Sequence, residues 1–141
     1  MLVRFKSTLV LAAVLYLLAP ASHFTAEASP KPRIKITDIP PASAQGSATA
    51  TNLIGGIAYG KDLSKCCRVI IYAHTDAWYV QPTVASPYTP IGENGKWQTT
   101  THPGAQYAAL LVESSFKPEA RIDNLPAAGG EILAEDVQPG K

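Results

Sequence analysis

Between Tyr72 and Trp97 the chain gathers the side chains best suited to holding a ligand: Tyr72, His74, Asp76, Trp78, Tyr79, Gln81 and Tyr88. Sugar rings present apolar C–H faces that stack on aromatic rings, while their hydroxyls need carboxylate, amide or imidazole partners. This run supplies both kinds of group. Trp78, Tyr79 and Tyr88 are the candidates for stacking, His74, Asp76 and Gln81 those for hydrogen bonding, and Tyr72 stands beside them. Trp97 falls on an alternation expected to face inward, and a small core commonly takes one tryptophan, so Trp97 is assigned to the core.

Bond-making chemistry is less well marked, and no catalytic residue is assigned. A serine nucleophile lacks the Gly-x-Ser-x-Gly turn that would expose it, and Ser114-Ser115 sits at a strand end. Cys66 and His74 lie eight positions apart, roughly 26 Å along an extended strand, too far to form a pair. Gly55-Gly56 does not open a helix, as a phosphate-cradling loop would require. His74, Asp76 and His102 could converge on a metal, but without a second clustered pair they read as polar strand-end residues. The chain is therefore expected to be no enzyme and to need neither metal nor cofactor.

The elements that position these residues come from composition and periodicity. The 141 residues are 46% hydrophobic, which is too apolar for general disorder and too short for two ordinary domains. Residues 1–28 read as a helical signal peptide: Arg4 and Lys6 precede an uncharged apolar run, and small residues allow cleavage after Ala21 or Ala28. That run is about half the roughly 20 residues needed to span a bilayer, so stable membrane insertion after cleavage is not expected. The remaining chain would be exported, to the periplasm or beyond the cell. Of 12 basic and 11 acidic residues, two and one lie before Ser29, so the exported part is neutral. Neutrality and export together argue against nucleic acid as a partner.

Residues 29–33 form an extended lead-in with prolines at alternate positions, and residues 34–141 are read as one domain. Alternating or continuous apolar runs predict strands over 34–39, 53–59, 67–74, 78–81, 96–102 and 107–113, with short strands near 120–125 and 131–137. In the 67–74 strand, Cys67, Val69, Ile71 and Ala73 form the buried face. Arg68, Ile70, Tyr72 and His74 form a mixed face that could meet solvent or a ligand. Gly55-Gly56 suggests a bulge or close backbone approach, and Asn94-Gly95 a tight hairpin turn. Cys66 and Cys67 are neighbours, closer in Cα spacing than an ordinary disulfide prefers. They read as a small buried hydrophobe and a preceding loop residue, not as a structural disulfide. Seven or eight short strands spaced by Pro and Gly predict an all-β, antiparallel β-sandwich of immunoglobulin or fibronectin type III-like form, with Tyr107 at the position of a corner tyrosine.

The order Val69-Ile70-Ile71-Tyr72-Ala73, Thr75-Asp76, Trp78-Tyr79-Val80-Gln81-Pro82, Tyr88-Thr89-Pro90-Ile91 and Asn94-Gly95-Lys96-Trp97 continues into Tyr107-Ala108-Ala109-Leu110-Leu111-Val112, then Leu125-Pro126 and Gly129-Gly130. It resembles the small β-sandwich accessory, carbohydrate-binding-like modules of secreted bacterial proteins, often found beside polysaccharide-degrading domains. The resemblance spans about 34–137 and implies the sandwich fold. The expected function is an exported, non-catalytic module binding a glycan or cell-wall polymer. The alternative is a structural or protein-interaction module of the bacterial envelope with no carbohydrate ligand.

Overall fold

The computed structural model describes residues 20–22, 24, 25 and 28–141, so the apolar run of the expected signal peptide lies outside the described residues. The chain forms β1 (Arg33–Asp38), β2 (Asn52–Tyr59), a single turn of helix α1 (Leu63–Cys66), β3 (Cys67–His74), β4 (Trp78–Gln81) and β5 (Tyr88–Thr89). β6 (Lys96–Thr101), β7 (Gln106–Glu113), β8 (Arg121–Ile122) and β9 (Ile132–Pro139) follow. The strands make two layers of antiparallel sheet. One has the order β1-β2-β6; the other runs β8-β4-β3-β7-β9, with β5 also paired to β3. Among the described residues no helix is long and apolar enough to cross a membrane.

Each strand follows its side-chain period. In β1, Ile34 and Ile36 turn inward while Arg33 and Lys35 face solvent. Ile54 and Ala58 of β2 and Trp97 of β6 join them, packing against Val69, Ile71 and Ala73 of β3 and Tyr107, Ala109 and Leu111 of β7. Trp97 is thus a core residue, as its alternation indicates.

Gly56 lets β1 and β2 close up. A β-carbon there would overlap the Lys35 carbonyl oxygen, so no other residue fits without moving the strand, and the register shifts between Ile36 and Asp38. Gly95 takes the positive φ that the turn requires, +82°. That turn does not close a hairpin, however, because β5 belongs to the large sheet and β6 to the small one. It carries the chain between layers.

The mixed face expected on β3 is not a free surface. Ile70 and Tyr72 join Trp78, Val80, Ala108, Leu110, Val112 and Ile132 in a second apolar cluster on the outer side of the large sheet. Phe116, Ile122 and Leu125, from the connection between β7 and β9, cover it. β3 and β7 are therefore buried on both faces, which explains why Val69–Ala73 and Tyr107–Val112 are nearly continuous apolar runs.

The cysteines also depart from expectation. Cys67 is buried at the start of β3, as its pattern suggests, but it is bonded to Cys66 in a vicinal disulfide with Cα atoms 3.7 Å apart. The backbone is helical at Cys66 and extended at Cys67, and that change of direction swings the two side chains toward each other. The Cys66 carbonyl, in turn, accepts from the Ser114 amide at 3.1 Å and the Ser114 hydroxyl at 2.7 Å, tying this corner to the end of β7.

Candidate binding cleft

Two sheets of unequal width cannot cover each other. β1 lies against β7 and β9, and β6 against β3 and β5, so β4 extends past the small sheet. The edge near β1 is stitched shut by Asp136, whose carboxylate accepts from the Ile36 amide at 2.8 Å and stands 3.8 Å from the Lys35 ammonium. At the opposite edge, residues 45–48 take the place of a strand, leaving an open cleft of about 440 Å³.

Register decides which side chains reach it. β4 pairs with β3 as His74↔Trp78, Ala73↔Tyr79, Tyr72↔Val80 and Ile71↔Gln81. Alternation then sends Tyr79 and Gln81 to the inner face and Trp78 and Val80 to the outer one. The cleft is lined by Thr75, Tyr79, Gln81 and His102, with Gln45, Ser47 and Ala48 opposite. Gln81 is buried and acts as a strut: its amide donates to the Tyr79 carbonyl at 3.3 Å, and its oxygen accepts from the His102 amide at 2.8 Å. His102 Nδ1 lies 2.9 Å from the Ala50 carbonyl oxygen. A carbonyl only accepts, so Nδ1 is the donor in this contact.

The rim is charged. Asp76, exposed at the β3–β4 turn, accepts from the Thr75 hydroxyl at 3.1 Å. The Tyr79 hydroxyl foremost, and Thr75 after it, hold the Asp76 carboxyl below the usual carboxylate range. Arg121 pairs with Tyr79 across β4 and β8, its guanidinium 6.0 Å from the ring centroid and 3.1 Å from Asp123. The Tyr79 hydroxyl, then Asp123, raise the Arg121 guanidinium further above its ordinary value. Tyr79 is thus a half-buried ring between a carboxylate and a guanidinium.

The structure brings together Tyr79, Gln81 and Asp76 and separates them from the other candidates. Trp78, expected to be among the exposed stacking residues, is only 7% exposed and belongs to the outer cluster, its ring 4.7 Å from that of His74. Tyr88 is exposed, but its hydroxyl donates to the Phe116 carbonyl at 2.7 Å on the far side of the sheet. Tyr72 is fully buried and donates to the Glu119 carbonyl at 2.9 Å. Of the cleft residues not assigned as ligand contacts from sequence, Thr75 and His102 flank strand ends and Arg121 sits in a two-residue strand. The Ala/Ser/Gly composition of 42–51 carried no signal that this loop forms a wall. Among the described residues no group of three His, Cys, Asp or Glu side chains sits together.

Tyr72 has a measurable consequence. Burial, with the Glu119 carboxylate adding to it, pushes the phenol from 10.0 up to about 12. The stability this neutral phenol carries is complete below pH 10 and is lost as pH rises toward 12, because the unfolded chain releases its proton first. Allowing for water reaching the hydroxyl, wild type should lose about 1 to 2 kcal/mol over that interval relative to Tyr72→Phe. Urea midpoints of both proteins across the interval check this, and parallel pH slopes would refute it.

In comparisons with known proteins, no family model, no curated protein and no solved structure matches this chain. Its function must be argued from the cleft.

Proposed function

We propose that this chain is an exported, non-catalytic binding module of immunoglobulin or fibronectin type III-like form that takes a glycan or cell-wall polymer in the cleft beside β4. The observation that carries the reading is the Tyr79 ring, held half-buried in an open cleft with hydroxyl, amide and imidazole groups around it and Asp76 and Arg121 at its rim. A sugar ring stacks on such a face while its hydroxyls meet the surrounding donors and acceptors. The volume of about 440 Å³ suits one or two sugar units of a longer chain. The resemblance to accessory modules and the apolar leader of residues 1–28 support export and a polysaccharide partner.

Tyr79→Ala should weaken binding about tenfold or more, read as lost retardation in gels containing mixed-linkage β-glucan, xylan or galactomannan, while changing stability by less than about 1 kcal/mol. Migration of wild type unaltered by every polysaccharide would sink the proposal. Gel retardation is preferable to tryptophan intensity, since both indoles are buried away from the cleft wall. The alternative, an envelope protein partner, is favoured by β6 lying at an edge of the small sheet, where a partner strand could add.

A further inference from the structure

The vicinal disulfide closes a small ring that includes the peptide bond between Cys66 and Cys67, so it fixes where the Cys66 carbonyl points. Ser114 gives that carbonyl two hydrogen bonds, from its amide at 3.1 Å and its hydroxyl at 2.7 Å. Ser114 is the first residue of the connection from β7 to β9. That connection lays Phe116, Ile122 and Leu125 over the outer cluster, and it contains β8. β8 in turn sets Arg121 beside Tyr79 at the rim of the cleft. A continuous path therefore runs from the bridge to the binding surface.

Apart from the bridge, this corner is weakly held. α1 is a single turn, far shorter than a helix that persists alone in water, and only its Leu63 is buried. Asp62, just before it, has a left-handed backbone at φ +54°, a conformation that costs free energy in a residue with a β-carbon. Among the described residues its side chain makes no capping bond to the turn. The two sulfur-bearing residues also differ in access: Cys66 is exposed, whereas Cys67 is buried. A thiol arriving from solvent meets the Cys66 side.

We propose that Cys66 and Cys67 form a redox latch: a dithiol reductant opens the bridge, frees Ser114, and loosens the β7–β9 connection with the cleft rim it braces. One thiolate of the reductant attacks the Cys66 sulfur, the bond to Cys67 breaks, and the Cys67 sulfur leaves and takes up a proton. The reductant's second thiol then displaces Cys66 from the mixed disulfide. The protein gains the electron pair and a proton on each sulfur, and the reductant is oxidised to a disulfide. Tyr72, Val80 and Tyr88 still hold the connection through the Glu119, Ala120 and Phe116 carbonyls, so the response is a local loosening and not unfolding. The effect on ligand binding rests on the glycan reading of the cleft; the effect on the connection does not.

Hydrogen exchange of the whole chain, first air-oxidised and then reduced with dithiothreitol, tests the latch. Reduction should speed exchange across 114–122 roughly tenfold, the loss of both bonds at Ser114, and leave β1 and β2 unchanged. Cys66→Ser should exchange like the reduced protein with or without dithiothreitol. Ser114→Ala, which keeps the bridge and loses only the hydroxyl bond, should fall between the two states. Equal exchange in the oxidised and reduced proteins overturns the latch, as do two free thiols after air oxidation or a rise spread evenly along the chain. In the same polysaccharide gels, reduction should weaken binding about fivefold. Binding of equal strength in both states overturns the link to the cleft. A wild type that binds no polysaccharide yet shows the local rise overturns the glycan reading and supports the latch.

Discussion

Trp78→Ala should destabilise the fold by about 3 to 5 kcal/mol, the range for emptying a buried aromatic site. Trp78 is 7% exposed and sits on the outer face of the large sheet, across from His74 in register and over Ile122 of β8. Its removal opens a hole under the connection between β7 and β9, and Phe116 and Leu125 cannot fill it without moving the backbone that carries them. Urea unfolding reads the effect directly. Trp78→Phe, which keeps most of the volume, should retain most of the lost stability. Loss of polysaccharide retention in Trp78→Ala would then report unfolding, in contrast to Tyr79→Ala, where stability should hold. A Trp78→Ala protein within about 1 kcal/mol of wild type would mean that the outer cluster is not a core.

Tyr107→Phe should cost about 2 kcal/mol. Tyr107 is fully buried, and its hydroxyl donates to the Pro41 carbonyl at 2.8 Å while accepting from the Gly104 amide at 3.0 Å. The Gly104 carbonyl accepts from the Ser43 amide at 2.8 Å, and the neighbouring Ala42 amide donates to the Lys141 carbonyl at 2.9 Å. The hydroxyl thus ties the segment after β1 to the turn before β7, and the adjoining backbone bonds carry the tie on to Lys141. Phenylalanine fills the same space but leaves a buried amide without a partner, which costs more than the bond itself contributes. Equilibrium unfolding checks the figure, and a loss under about 0.5 kcal/mol would show that another group takes over the Gly104 amide.

Much of this architecture was legible in the sequence. The alternation of Ile34 and Ile36 with Arg33 and Lys35 marks a half-buried strand, and the run Tyr107–Val112 marks one buried on both sides. Tyr107 at the entry to that run, and Trp97 on its alternating strand, were identifiable for the same reason. What periodicity cannot supply is the identity of the covering element. Alternation puts Trp78 and Tyr79 on opposite sides of their strand, but it shows neither which side is open nor which side Tyr72 and Tyr88 share; that comes from the register of β3 with β4 and β5. Phe116, Ile122 and Leu125 lie in a stretch with little regular structure, so nothing in their spacing announces a lid over Trp78. The cleft is similarly silent, because its far wall is built from small residues at 45–48. Adjacent cysteines misled in another way: Cα spacing argues against a bridge, while the helix-to-strand change at Cys66 and Cys67 permits one.

The mismatch in width between three strands and their broader partner sheet has a wider meaning for how such a molecule can change. Ala73, Tyr79 and Gln81 of the cleft, and Arg121 at its rim, are anchored in strands of the large sheet; the opposing wall is a stretch of Gln, Gly, Ser and Ala outside both apolar clusters. Lengthening or recolouring that wall leaves every core contact untouched. On the glycan reading proposed above, changes in that wall would retune the ligand with little risk to foldedness, because the far wall of the cleft and the apolar core are written in different residues.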